Sequence, residues 1–153
     1  MRNKILVSVV MGVLFFSCKK EEKQPEEVQP EPQVQEVATN ECYEYVKGKD
    51  TITANFIIQN KTVSGDLTYA FFEKDKNSGT IVGTMNGDTL VANYTFNSEG
   101  VESVRQVAFI RKNKTLTEGY GESEEVNGAM VFKDLSQLNF SNSTVLTEIP
   151  CRE

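Results

Sequence analysis

Few side chains in this sequence are suited to covalent chemistry, and their types set the limits. The 153 residues include three Cys, no His and no Trp. Without imidazole there is no Ser-His-Asp or Cys-His nucleophile system and no imidazole metal site. Carboxylate, Ser-Lys and Tyr chemistry remain, but no spacing singles out an acid–base pair. The expectation is therefore a non-catalytic protein that needs no cofactor. Asp75-Lys76-Asn77-Ser78-Gly79 has the beginnings of a calcium loop, yet its Gly is misplaced and the terminal Glu is missing. The acidic run Glu118, Glu122, Glu124 and Glu125 could hold a hard cation, or could equally be a solvated edge; no metal site is assigned. A net charge of −6 argues against nucleic acid as a partner, because phosphate binding needs a basic face.

Each cysteine has its own setting. Cys18 follows a short basic start, Met1-Arg2-Asn3-Lys4, and an apolar stretch from Ile5 to Phe16. That stretch is too short for a membrane-spanning helix of about 20 residues and has the proportions of a signal-peptide core. Ser17 directly before Cys18 resembles the lipobox of bacterial lipoproteins, with Phe15 standing where Leu is usual. The resemblance implies a diacylglyceryl group on the Cys18 sulfur, cleavage after residue 17, palmitate or a similar acyl chain, and a membrane as partner. An ordinary signal peptide cut nearby is the alternative. Lys19-Lys20-Glu21-Glu22 resembles the surface-export signal of lipoproteins in some Gram-negative bacteria, which implies an outer-membrane anchor facing outward; the periplasmic face is the other possibility. Residues 18–40 are rich in Glu, Gln and Pro and contain no aromatic residue. Such a composition cannot offset its ordering entropy and reads as an extended, disordered tether.

Cys42 and Cys151 bracket what remains, residues 41–153. In an exported protein they are expected to form a disulfide clasping the first and last segments. Two free thiols or a redox pair are the alternatives, and the acidic neighbours Glu41, Glu44 and Glu148 disfavour a reactive thiol.

The elements between them read as strands. Apolar residues alternate at Ile52, Ala54, Phe56 and Ile58, then at Val63, Leu67, Tyr69 and Phe71 with Gly65 between. Ile81, Gly83 and Met85 form a third inward set, and Leu90, Ala92, Tyr94 and Phe96 a fourth. A two-residue Asn60-Lys61 turn predicts Ile58 opposite Val63, Ala54 opposite Leu67 and Ile52 opposite Tyr69. An Asn86-Gly87 turn predicts Met85 opposite Asp88 and Gly83 opposite Leu90.

A repeat extends the pattern. Residues 50–76 align without gaps on 88–114 with nine identities in 27 positions, which suits either duplication of a three-strand meander or convergence of similar hairpins. The repeat places Val101, Val107 and Phe109 inward, and Arg105 with them. An Asn113-Lys114 turn then sets Val107 opposite Tyr120, Phe109 opposite Glu118, and Arg105 opposite Glu122. Arg105 becomes a candidate interior polar site within reach of Tyr94, Ser103, Glu118 and Glu122. A buried guanidinium needs a carboxylate, several acceptors or an anionic ligand. An internal ion pair with Glu122 or Glu118 and an anchor for an acidic ligand in the barrel mouth are both open; with another register, Arg105 is solvated. Asn127-Gly128 is a further hairpin turn, joining Glu122–Val126 to Ala129–Lys133, and Leu135–Ser141 and Thr144–Ile149 look like closing strands.

About eight antiparallel strands with tight turns suggest an all-β, up-and-down meander barrel, because closure removes exposed edges. In size and connectivity it resembles the calycin-like group, lipocalin-like and streptavidin-like barrels. The functional expectation is a tethered binding or interaction module. It would take a small apolar or amphipathic ligand in the barrel, or a protein partner on its rim. The alternative is a structural envelope lipoprotein or enzyme inhibitor with a packed barrel and no ligand. Asp50-Thr51-Ile52 and Asp88-Thr89-Leu90 resemble the Asp-Thr-aliphatic O-glycosylation acceptor of some of the same bacteria, although Asp-Thr at a strand start also explains itself locally.

Overall fold

In the computed structural model, which describes residues 37–141 and 143–152, alternation becomes a closed barrel. Its strands are β1 (Thr39–Lys47), β2 (Asp50–Gln59), β3 (Thr62–Ala70), β4 (Asn77–Asn86), β5 (Thr89–Ser98), β6 (Val101–Lys112) and β7 (Thr115–Gly119). A hairpin of β8 (Ser123–Val126) and β9 (Ala129–Phe132) follows, then a 3-10 turn at Leu135–Gln137 and the last strand, β10 (Val145–Ile149). Each of β1 to β7 pairs antiparallel with the next; β10 pairs with both β7 and β1 and closes the ring. Eight antiparallel strands in up-and-down order thus leave the barrel no open edge. Cys18, the leader 1–17 and all but the end of the 18–40 tether lie outside the described residues. At that end β1 starts at Thr39, two residues earlier than the domain boundary read from composition.

The inward positions carry the core. Ile52, Ala54, Phe56, Val63, Leu67, Ile81, Leu90, Tyr94, Phe109, Leu116 and Leu146 are all buried in one cluster, which fills the barrel with packed side chains rather than leaving a lumen. Inward glycines face rings: Gly65 pairs with Phe56 and Gly79 with Phe96. Where Gly79 lies, an added Cβ would fall 1.9 Å from the Thr95 carbonyl oxygen, so β4 and β5 approach as only glycine allows.

Register follows the sequence in part. Ile58 faces Val63, Ala54 faces Leu67 and Ile52 faces Tyr69, as the Asn60-Lys61 turn requires. The β4–β5 turn differs: Asn86 pairs with Thr89 and Met85 with Leu90 rather than Asp88. Gly87, not Asn86, takes the positive φ of 59° at the first turn position, which glycine adopts without steric cost. The slide moves one residue on each strand, so every side chain keeps its face. Glu99-Gly100 closes β5 onto β6 with φ of 51° and 81°, the pair of left-handed conformations a type I′ turn needs.

Two expected inward residues stay outside the core. Val101 is 64% exposed, because β6 overruns the barrel end where it pairs with Ser98. Phe71 follows the last residue of β3 and is also exposed. Leu135–Ser141 is not a strand. Asp134 accepts hydrogen bonds from the backbone N–H and the hydroxyl of Ser136, at 2.8 and 2.7 Å, and so starts a helical turn there.

Cys42 and Cys151 form the disulfide, with Cα atoms 5.2 Å apart. The clasp lies at the end of the barrel where β1 enters and β10 leaves. This clasped end also carries the β2–β3, β4–β5 and β6–β7 turns. At the opposite, open end lie the β1–β2 and β5–β6 turns, the longer Phe71–Lys76 connection, and the excursion through β8 and β9.

Candidate functional site

The open end is built where β7 leaves β6. Their pairing runs from Lys112↔Thr115 through Phe109↔Glu118 and stops at Ala108↔Gly119. Beyond it the chain turns away at Gly119-Tyr120-Gly121. Phe140 packs over Gly119 so closely that a Cβ would meet its ring at 2.4 Å. Tyr120 then exchanges two backbone hydrogen bonds with Asn139, at 3.0 and 2.9 Å. The vacated edge of β6 is taken by β9 in a parallel pairing, Val104↔Ala129 and Arg105↔Met130. The Phe132 N–H donates to Gln106 Oε1 at 3.0 Å and holds the hairpin in place.

This departure corrects one expectation. Glu122 does not reach Arg105; it is exposed and pairs with Lys133 at 3.3 Å. Val107 likewise does not face Tyr120, because the β6–β7 ladder has already ended. Arg105 instead pairs in register with Tyr94 on β5. Its guanidinium carbon lies 5.1 Å from the Tyr69 ring, 5.6 Å from Tyr94 and 5.5 Å from Phe96. Tyr94 and Phe96 stack with centroids 4.8 Å apart, and Tyr69 meets Tyr94 edge-on at 5.9 Å. Three rings therefore box the cation, an arrangement that attracts it through the ring quadrupoles. Rings accept no conventional hydrogen bond, and among the described residues the buried Arg105 Nε has no partner. The Tyr94 hydroxyl, also buried, has none either. Ser103 pairs with Phe96 nearer the rim and does not border the cavity described below.

Glu118, expected inward, is 5% exposed, and among the described residues it is the buried charged group. Tyr69 donates to its Oε1 and Tyr120 to its Oε2, both at 2.7 Å. Burial, reinforced by the Glu118 charge and hydrogen bond, raises the Tyr69 hydroxyl well above the usual tyrosine range. Burial also pushes Tyr94 up to about 12, against the opposing pull of Arg105. Both hydroxyls are therefore protonated donors at neutral pH. Arg105, Gln106, Glu118, Tyr120, Met130 and Phe132 border a cavity of about 190 Å³ that opens to solvent.

Sequence reasoning placed Arg105, Tyr94 and Glu118 together and missed Tyr120, Met130 and Phe132. Tyr120 lay one alternation step past Glu118. The β9 residues carried no usable signal, since a parallel pairing across a long excursion leaves no mark on local periodicity. Among the described residues no group of three or more Cys, Asp or Glu side chains converges to hold a metal ion.

Fold and site together define a small closed β-barrel, clasped at one end by a disulfide and carrying a boxed arginine beside a cavity at the other. Comparison with protein-family models, with curated proteins and with solved structures finds no match to this chain.

Proposed function

We propose that the protein is a non-catalytic binding module, anchored to the outer membrane through lipid on Cys18 and displayed at the cell surface, that engages its ligand or partner with the open end of the barrel. The observation that carries the reading is Arg105: a cation held among three rings beside an open cavity, without a carboxylate partner among the described residues. Exposed apolar residues Val46, Phe71, Phe72, Val101, Tyr120 and Met130 gather around the open end, as a recognition rim requires.

The packed interior favours a second reading, a structural or inhibitory envelope lipoprotein that takes no small molecule. Mass spectrometry of the chain extracted from its own membrane under native conditions separates the two. The first reading expects an acylated Cys18 at the new N-terminus and a retained small molecule or partner, lost in Arg105→Gln. A lipidated but bare chain favours the second. An unmodified cysteine contradicts the anchor.

A further inference from the structure

β6 carries two arginines at inward positions, one near each end of the barrel, and they are treated differently. Arg111, at the clasped end, donates to Glu41 Oε1 at 2.6 Å, and Tyr43 donates to the other oxygen of the same carboxylate, also at 2.6 Å. Arg105, at the open end, has no hydrogen bond and no ion pair among the described residues. Glu118, the carboxylate that borders the same cavity, already receives one tyrosine hydroxyl on each oxygen. Among the described residues two buried donors here, Arg105 Nε and the Tyr94 hydroxyl, lack a partner. A guanidinium offers five N–H donors in a planar array that matches a carboxylate.

The cavity defines what could supply the missing acceptor. Its volume of about 190 Å³ falls below the roughly 300 Å³ at which drug-sized ligand pockets begin. Met130, Phe132 and the Tyr120 ring contribute apolar surface to its lining, beside Arg105, Gln106 and Glu118. Glu118 borders the same space, so each additional negative charge on a ligand meets added repulsion. A planar monoanion with a small apolar body fits these conditions better than a phosphate or an amine.

We propose that the open end is a binding site for a small organic monocarboxylate, its carboxylate on Arg105 and its apolar body against Met130, Phe132 and Tyr120. The inference rests on the binding-module reading and names the ligand class of that module.

Benzoate is a direct probe. The whole chain, labelled with nitrogen-15 and held in nonionic detergent, is titrated with benzoate while the arginine Nε–Hε signals are followed. The buried Arg105 Nε–H should give a signal that shifts and saturates. Benzylamine, with the same ring and the opposite charge, and inorganic phosphate should each bind at least about tenfold more weakly. Arg105→Gln should weaken benzoate by at least about tenfold, and Arg105→Lys should fall between, since it keeps the charge and loses the fork. Backbone amide spectra of the variants report whether the barrel is intact; should a variant not fold, the ranking of the three probes on the native chain decides. Non-saturating benzoate shifts, equal binding of benzylamine or phosphate, or benzoate binding unchanged in a folded Arg105→Gln would overturn the proposal. A chain that ignores benzoate yet leaves its membrane carrying a partner at the open end overturns this inference alone. A chain that binds benzoate but is recovered unlipidated overturns the anchored-module reading alone.

Discussion

Arg105 and Glu118 are interior charges of opposite sign that do not pair, and each depends on tyrosines. Glu118 is held by the hydroxyls of Tyr69 and Tyr120. Truncating it leaves a buried hydroxyl without an acceptor, so Glu118→Ala should cost about 2–3 kcal/mol in urea unfolding. Glu118→Gln, which keeps a carbonyl acceptor, should cost less. Alkaline titration tests the same network. Tyr69 and Tyr94 have folded pKa values above the ordinary tyrosine value. In that case the unfolded chain loses their protons first as pH rises. Their contribution to stability is therefore complete below about pH 10 and declines as pH climbs toward and beyond 12. Denaturant midpoints should be unaffected by these two groups between pH 8 and 9 and fall between pH 10 and 12; a midpoint that rises over the second interval contradicts the assignment. Residue-level chemistry was legible to the extent that alternation put Arg105, Tyr94 and Glu118 on one face. The expected Glu122 contact failed because Gly119-Tyr120-Gly121 takes the chain off β6, and glycine-flanked residues give no alternation from which to read that exit.

At the scale of elements, turns decide what the sequence reveals. The Asn60-Lys61 hairpin has strict alternation on both sides, and its register was readable to the residue. In the β4–β5 hairpin the turn falls at Gly87-Asp88 instead of the expected Asn86-Gly87. Sliding between them preserves every face, so hydrophobic pattern cannot tell them apart. The repeat has the same blindness: it put Val107 and Phe109 inward correctly, while the β5–β6 register differs by one residue on each strand from that of β2–β3. Close approach of strands is a stricter constraint than alternation. Gly79→Ala places a Cβ against the backbone of Thr95, so β4 and β5 must separate. A loss of about 1–3 kcal/mol is expected, with hydrogen-exchange protection lost in those two strands before the others. Uniform loss of protection around the barrel would show that the contact is not local.

The barrel is asymmetric, with one end tied and the other open. The Cys42–Cys151 bond ties the first barrel strand to the residues just after the last one, across 109 residues of sequence, and the chain-entropy model assigns such a loop about 4–5 kcal/mol. Cys42→Ser with Cys151→Ser should therefore lower stability by about 2–5 kcal/mol. The loss should be reproduced by reduction of the native chain, and the benzoate response of Arg105 should persist wherever the barrel remains folded. This asymmetry was legible in outline, because two cysteines at the ends of a β-rich region in an exported chain invite a clasp. What occupies the open end was not, because that depends on which strand leaves the barrel and what replaces it. We propose that the protein meets its partner there. Phe72 at the open end and Ile57 on the barrel wall are each 49% exposed, which makes them a matched pair for a photo-crosslinking phenylalanine analogue in intact cells. Intact-mass analysis after irradiation is expected to show an adduct from position 72 and none from position 57. Adducts of equal yield from both, or from position 57 alone, would contradict binding at the open end.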